Sequence, residues 1–225
     1  MPRLSVIVPA LNEAGHIRQT LSDLAPAREE GHEVIVVDGG STDATVSEAG
    51  DLADKVIEAS RGRASQMNAG ARAARGDLLW FLHADTRVPP QAIGALVDAA
   101  AKGAPWGRFN VRLSGSQWLL RIVERSMNWR SCITGIATGD QGIFVTREAF
   151  ETAGRYPDIP LMEDIALSKV LKRIARPACV NVRLVTSSRR WEEKGVLRTV
   201  ALMWRLRLAY ATGASPAQLV RRYYP

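Results

Sequence analysis

The sequence predicts an α/β protein on a doubly wound, mostly parallel sheet, with a less regular second half. Three observations carry that reading. Residues 4–8 and 34–37 are short β-branched runs, one closed by Pro9 and the other by Asp38-Gly39-Gly40, the pattern of strands buried on both faces. Between them Ile17, Leu21 and Leu24 recur at helical spacing, which makes a βαβ unit. The alternation then continues through the first hundred residues.

In order, the first half reads as strand 4–8, helix 13–25 with Asn12 as its N-cap, strand 34–37, helix 45–52, strand 55–58, helix 64–74 and strand 78–82. Pro89-Pro90 opens a further helix in which Ile93, Leu96, Val97 and Ala100 share a face. The second half reads as strand 108–113, amphipathic helix 117–128, a Gly- and Thr-rich loop over 134–139, strand 142–145, helix 163–174, strand 179–185 and a long basic helix 194–211. No internal repeat or linker interrupts the 225 residues, so one continuous unit is expected over 1–225.

A hydrophobic content of 46% fills a core of that size and excludes a disordered chain. No uncharged stretch approaches the roughly 18 residues that a membrane span needs, and no cleavable leader follows the first apolar run. A cytoplasmic location is the expectation. Cys132 and Cys179 match no metal-ligand or redox spacing and are expected as buried thiols. Charge is uneven: residues 1–100 hold 9 Lys and Arg against 14 Asp and Glu, net −5, while 101–225 hold 21 against 9, net +12. Only five of the 30 basic residues are Lys, and Arg suits phosphate. A phosphate-bearing ligand, a nucleic acid and an anionic membrane all fit, and genome composition explains Arg usage equally well. No nucleic-acid-binding motif accompanies the charge, so no nucleic-acid partner is expected.

Ligands of open parallel sheets bind beyond the carboxyl ends of the strands. Those ends carry Pro9-Ala10-Leu11-Asn12-Glu13, Asp38-Gly39-Gly40-Ser41-Thr42-Asp43 and His83-Ala84-Asp85. Glu13, Asp38 and Asp85 on one buried edge call for a cation or ligand donors, although turn and cap chemistry accounts for the first two clusters as well. His83 and Asp85 are two apart and point to one side of an extended segment. That pair suits Mg²⁺ or Mn²⁺ facing a diphosphate, with the imidazole favouring Mn²⁺. A strand-end His beside an Asp capping the next helix has the same spacing.

Four segments together resemble family-2 glycosyltransferases of the GT-A fold: residues 4–13, Val36-Val37-Asp38-Gly39-Gly40-Ser41-Thr42-Asp43, Asn68-Ala69-Gly70, and the run from Ala74 to Asp85. The resemblance covers 4 to about 175 and is closest to a small soluble bacterial branch. It implies a nucleotide-sugar-binding half over 1–100, an acceptor half over 101–190 and a basic helical extension over 191–225. It also implies that Pro9, Glu13 and Asp38 hold the uridine of a donor, that Arg63 contacts base or diphosphate, and that Asp85 is the last Asp of a DxD motif holding Mn²⁺ or Mg²⁺, with His83 in the place of the first. Gly139-Asp140-Gln141 then lies under donor sugar and acceptor. Glu163-Asp164 is the family's acidic pair, with Asp164 as general base for an inverting transfer; as plain acids they also favour the positive end of the helix they open. Arg190-Trp191 ends a QxxRW motif whose Gln is replaced by Ser187, so Trp191 is an acceptor-side residue and transfer is expected to be single rather than processive. Gly39 stands where a second Asp is common. These departures leave a catalytically weak nucleotide-sugar-binding protein as the alternative. A sugar-phosphate nucleotidyltransferase is excluded by the absence of a Gly-rich, Arg-containing loop after the first strand.

In helix 194–211, Leu197, Val200, Ala201, Trp204, Leu208 and Ala211 fall on one stripe beside Lys194, Arg198 and Arg205. The stripe either packs on the core or a second subunit, as in a homodimer, or lies on an anionic membrane that presents a lipid-linked acceptor. Arg207 intrudes on the apolar face, which is awkward in a dry core and tolerable where it snorkels to phosphate. Arg189, Arg190, Arg221 and Arg222 extend the basic surface, each worth about 1 kcal/mol near an anionic leaflet.

Overall fold

The computed structural model describes residues 2–223. Seven strands form one sheet in the order β3-β2-β1-β4-β6-β5-β7: β1 (Leu4–Ala10), β2 (Glu33–Asp38), β3 (Lys55–Glu58), β4 (Leu78–Phe81), β5 (Trp106–Leu113), β6 (Phe144–Thr146) and β7 (Ala178–Thr186). β1 is parallel to β2 and β4, β2 to β3, and β5 to β7, while β6 runs antiparallel to β4 and β5. The mostly parallel sheet predicted for the first half is present, and β6 joins it to the second half.

The helices are α1 (Ile17–Asp23), α2 (Ala25–Glu29), α3 (Thr45–Ala49), α4 (Arg63–Ala73), α5 (Ala92–Ala101), α6 (Trp118–Thr134), α7 (Arg147–Thr152), α8 (Glu163–Ile174), α9 (Arg189–Lys194), α10 (Val196–Ala211) and α11 (Pro216–Tyr223). The period-two alternation of the central strands divides them into layers. Val6, Val8, Val34 and Val36 pack with Ile17 and Leu21 of α1, Leu24 at its end, and Ile93 and Leu96 of α5. Ile7, Ile35 and Val37 face Met67 and Ala71 of α4, with Phe150, Leu167 and Leu171 of α7 and α8 in the same cluster. Both faces of the sheet are therefore covered, as parallel strands require.

The second layer depends on close approach. A Cβ on Gly70 would lie 2.4 Å from Ile7 Cγ2 and 3.0 Å from Val37 Cγ2, so α4 settles onto β1 only with glycine there. Asn68, two residues earlier, donates to the Tyr156 carbonyl at 2.8 Å and accepts from the Tyr156 N–H at 3.1 Å. Arg147 closes the carboxyl end of α4 by donating to the carbonyls of Ala71, Ala74 and Gly76 at 2.7–3.1 Å. A cation at orphan helix carbonyls is favourable twice over, by hydrogen bonds and by the helix dipole. Arg147→Met is expected to cost about 2–3 kcal/mol in urea unfolding, the scale for charged hydrogen bonds; a change below about 0.5 kcal/mol would show that water satisfies those carbonyls as well.

Several expectations are corrected. The first helix breaks into α1 and α2 at Leu24, and it starts at Ile17 with His16 at the N-cap position. Asn12 does not cap it: Asn12 takes φ 54° and its Oδ1 accepts the Thr42 N–H at 2.9 Å. Asp85 does not cap α5, whose N-cap position is Gln91. The long basic helix expected over 194–211 is present as α10, and two short helices that were not expected flank it: α9, set off at Gly195 with φ 79°, and α11. Cys132 and Cys179 are not buried thiols. They form a disulfide with Cα atoms 6.0 Å apart, because the end of α6 lies beside the start of β7, a proximity that 47 residues of separation conceal.

Candidate active site

The loops after β1 and β2 are laced together. Asn12 N–H donates to Ser41 Oγ at 2.9 Å, Glu13 N–H to Thr45 Oγ1 at 2.7 Å, and Ala14 N–H to Asp43 Oδ2 at 3.2 Å. Asp38 is buried, and its carboxylate accepts the N–H groups of Gly40 and Ser41 at 2.9 Å and the Ser41 hydroxyl. It shapes its own turn, the alternative that turn chemistry offered. Gln66 of α4 donates to the carbonyls of Ala10 and Val37 at 2.8 Å, and a Cβ on Gly39 would lie 3.0 Å from that amide. The residue that replaces a second Asp therefore lies directly beneath a side chain that pins β1 to β2. Pro9, within β1, is half-buried.

Glu13 faces a different problem. Its Oε2 is buried with no hydrogen-bond partner. Burial, followed by the charge of Asp85, raises its pKa, and Arg189 and the two nearby histidines only partly oppose that. Arg189 Nη2 reaches Glu13 Oε1 at 3.9 Å, so the start of α9 leans over this edge. An orphaned carboxylate oxygen beside a second carboxylate suits a hydroxyl donor or a cation.

After β4, His83 Nδ1 lies 3.3 Å from Asp140 Oδ1. Burial alone would lower the histidine's pKa, but the hydrogen bond and charge of Asp140 outweigh it and raise it. Asp140 is held correspondingly low by His83 against the effect of burial. The imidazole lies over Gly139, where a Cβ would come within 2.4 Å of Nε2. The Gly139 N–H in turn donates to Asp164 Oδ2 at 2.9 Å, and Asp164 Oδ1 accepts the Ile165 N–H at 2.7 Å. Met162, ahead of α8, holds φ 70°, an uncommon conformation for a side chain of that size and a mark of a constrained site. Glu163 is buried, and its pKa is raised by burial and then by Asp164, with Arg63 opposing from 3.9 Å.

A cavity of about 260 Å³ opens at this point. It brings together Arg63, Asp140, Glu163, Asp164 and Trp191. Pro9, Glu13, Asp38, His83, Asp85, Gly139 and Gln141 do not line it. Gln141 is fully buried: its amide donates to Ser131 Oγ at 2.8 Å and its Oε1 accepts the Thr138 N–H at 3.3 Å. It fixes the turn under Asp140 and does not line the cavity. The cavity also contains Arg130 and Arg207, which were not among the expected site residues. The signal for Arg207 was its intrusion on an apolar helix face; Arg130 had none.

Among the described residues no group of three His, Cys, Asp or Glu could hold a metal. His83 and Asp85 offer two donors, an imidazole oriented through Nδ1 by a carboxylate and a second carboxylate. Such a set fits a divalent cation whose remaining ligands are substrate phosphate oxygens and water.

The model of the family described as glycosyl transferase family 2 matches residues 5–144. A probable glycosyltransferase, YdaM, of Bacillus subtilis is 26% identical, over 95% of this chain and 55% of its own length. An undecaprenyl-phosphate 4-deoxy-4-formamido-L-arabinose transferase of Aeromonas hydrophila is 32% identical, over 62% of this chain and 46% of its own length. The chain thus spans about half the length of these curated relatives. Residues 1–349 of Staphylococcus aureus TarS superpose with TM-score 0.65 at 18% identity, covering 83% of this chain and 60% of that one. Glucosyl-3-phosphoglycerate synthase of Mycobacterium tuberculosis, in complex with Mn²⁺ and UDP, gives 0.61 at 21%, covering 82% and 71%. The solved structures establish the GT-A fold, and with a family model spanning more than half its residues, the chain belongs to glycosyl transferase family 2.

Proposed function

We propose that the chain transfers a sugar from a nucleotide-diphosphate sugar, uridine-linked, to an acceptor hydroxyl, with inversion and one sugar at a time. The observation that carries this reading is the contact chain from His83 through Gly139-Asp140 to Asp164. It couples the strand end where a diphosphate is expected to the carboxylate expected to take the acceptor's proton.

In this reading Pro9, Glu13 and Asp38 hold the nucleoside, with Glu13 Oε2 accepting from a hydroxyl, and Arg63 offers its cation to the diphosphate. His83 and Asp85 would hold Mn²⁺ or Mg²⁺, which when bound offsets charge on the leaving diphosphate. Asp164, fixed by two backbone N–H groups, takes the hydroxyl proton. The acceptor oxygen bonds to the anomeric carbon, and the bond from that carbon to the diphosphate breaks, its electron pair leaving with the nucleotide. Glu163 beside Asp164 restrains the acceptor, and Trp191 supplies an apolar wall.

Incubation with UDP-, GDP- and TDP-sugars and Mn²⁺, with release of nucleoside diphosphate measured, tests the proposal. UDP release is expected. Donor binding without any release would favour the catalytically weak binding protein instead. Asp38→Ala is expected to raise KM for the donor about tenfold or more with kcat little changed, because its loop lies at the base and not at the reacting carbon. An unchanged KM would remove Asp38 from the donor site.

A further inference from the structure

The cavity beside Asp164 is amphiphilic. At its floor Arg130 and Arg207 accompany the carboxylates. Arg130 Nη2 is buried with no hydrogen-bond partner. Burial, with Arg207's charge adding to it, pushes the Arg130 guanidinium down to about 10, and burial lowers that of Arg207 as well; both remain charged at neutral pH. Arg207 makes no hydrogen bond or ion pair of 4 Å or less among the described residues, although Asp164 and Asp140 act on it electrostatically. Two desolvated guanidinium groups that repel one another and lack a bonded anion are costly unless a ligand supplies one. The walls are apolar: Ile122, Val123 and Met127 from α6, Leu161, and Met203 and Trp204 from α10.

The cavity mouth continues onto an unusual surface. Seven of the nine exposed large apolar side chains among the described residues belong to α6 and α10: Trp118, Ile122, Trp129 and Ile133 on one, Leu197, Trp204 and Leu208 on the other. Their spacings of four and seven make one row on each helix. Ile122 and Trp204 belong both to a row and to the cavity wall, so the rows flank the opening. Arg125, Arg198 and Arg205 are exposed beside them. The acid of α6, Glu124, is buried, and α10 and α11 contain none. Two copies of this face would set like charges against each other. An anionic bilayer complements both the charge and the apolar rows.

We infer that α6 and α10 rest on an anionic bilayer and that Arg130 and Arg207 bind the phosphate of a lipid acceptor whose hydroxyl reaches Asp164 while its chain lies along the apolar wall. This deepens the transfer reading and rests on it, since it names the class of acceptor for the same site.

The test uses two probes and the intact chain. In isothermal titration, monomeric dihexanoyl-phosphatidylglycerol is expected to bind at least tenfold more tightly than glycerol 3-phosphate. Arg130→Ala and Arg207→Ala are each expected to weaken that binding at least tenfold, with Arg207→Lys recovering part of the loss. Stabilisation by UDP, measured on the same variants, reports that they are folded and reads the donor site separately: lipid binding without any UDP effect would defeat the donor reading, and with it the acceptor role, while leaving the lipid-phosphate site at Arg130 and Arg207 standing. In co-sedimentation, long-chain phosphatidylglycerol vesicles are expected to retain the protein and phosphatidylcholine vesicles are not. Trp129→Asp/Leu208→Asp, outside the cavity, should abolish vesicle binding and leave titration of the short-chain lipid unchanged. The inference is overturned if glycerol 3-phosphate binds as tightly as the lipid, which makes the acceptor a soluble phosphate, or if the arginine variants bind normally. It is equally overturned if the chain dimerises through these helices and ignores vesicles.

Discussion

Asp164→Asn is expected to lower sugar transfer by about 10²-fold or more, the scale for loss of a general base, and to leave donor binding intact. The amide keeps the volume of the carboxylate, and its carbonyl oxygen still accepts the Gly139 N–H that Asp164 Oδ2 accepts at 2.9 Å; it gives up the Ile165 N–H that Oδ1 accepts at 2.7 Å, a local loss at the first turn of α8 that thermal unfolding of the variant reads separately. On the proposed mechanism it loses the capacity to take a proton from the acceptor hydroxyl. The check is a comparison of kcat for transfer with the Kd for UDP in the same preparation. Equal kcat values would assign the proton to another group, and Glu163, buried beside it with a raised pKa, becomes the next candidate.

The second large effect comes from one methyl group. Gly139→Ala places a Cβ 2.4 Å from His83 Nε2, so the imidazole must leave its position over the turn and with it the contact to Asp140. His83 is a side chain able to move, and the expected loss of stability is only about 1 kcal/mol, at the low end for overpacking. Transfer, by contrast, falls about 10²-fold, the effect of misplacing a site by about 1 Å. Thermal unfolding and kcat on one sample separate the two. Full activity would show that the position of His83 is irrelevant to transfer.

What the sequence disclosed depended on whether each signal was local. Helix α8 was legible because Glu163 and Asp164 open it and its apolar residues recur at helical spacing. The parallel core was legible from continuous β-branched runs at β1 and β2, whose faces are both covered. The closing helix was legible in existence but not in orientation. The stripe of Leu197, Trp204 and Leu208 faces solvent, whereas Val196, Thr199 and Leu206 are buried. Both faces of α10 carry apolar residues, and periodicity cannot tell which of two apolar faces finds a partner. The short helix α9, which ends at Gly195 with φ 79°, went unread because six residues are too few to show a periodicity.

At the site, motif residues were legible as a group and less so in their roles. Asn68 and Gly70 fix α4 against β1 and the Tyr156 loop. Asp38 closes its own turn, and Gln141 braces the turn beneath Asp140. Arg130 escaped notice because the helix expected over 117–128 stops short of it, whereas α6 runs on to Thr134. It shares the cavity with Arg207 of α10, a long-range juxtaposition with no local signature. The Cys132–Cys179 bond is the same kind of omission.

The central claim is that the carboxyl edge of β1, β2 and β4 is a nucleotide-diphosphate site completed by Asp85. Thermal unfolding with UDP, with and without Mn²⁺, for the native chain and for Asp85→Ala, tests it most directly. Binding to the folded state alone at about 100 times Kd adds about 2.7 kcal/mol, which corresponds to a rise of about 5–10 °C for a chain of this size. The account predicts that rise with UDP and Mn²⁺ together, a smaller one with UDP alone, and no difference between the two conditions in Asp85→Ala. An unfolding temperature that no nucleoside diphosphate shifts, or a Mn²⁺ effect that survives in Asp85→Ala, would contradict it.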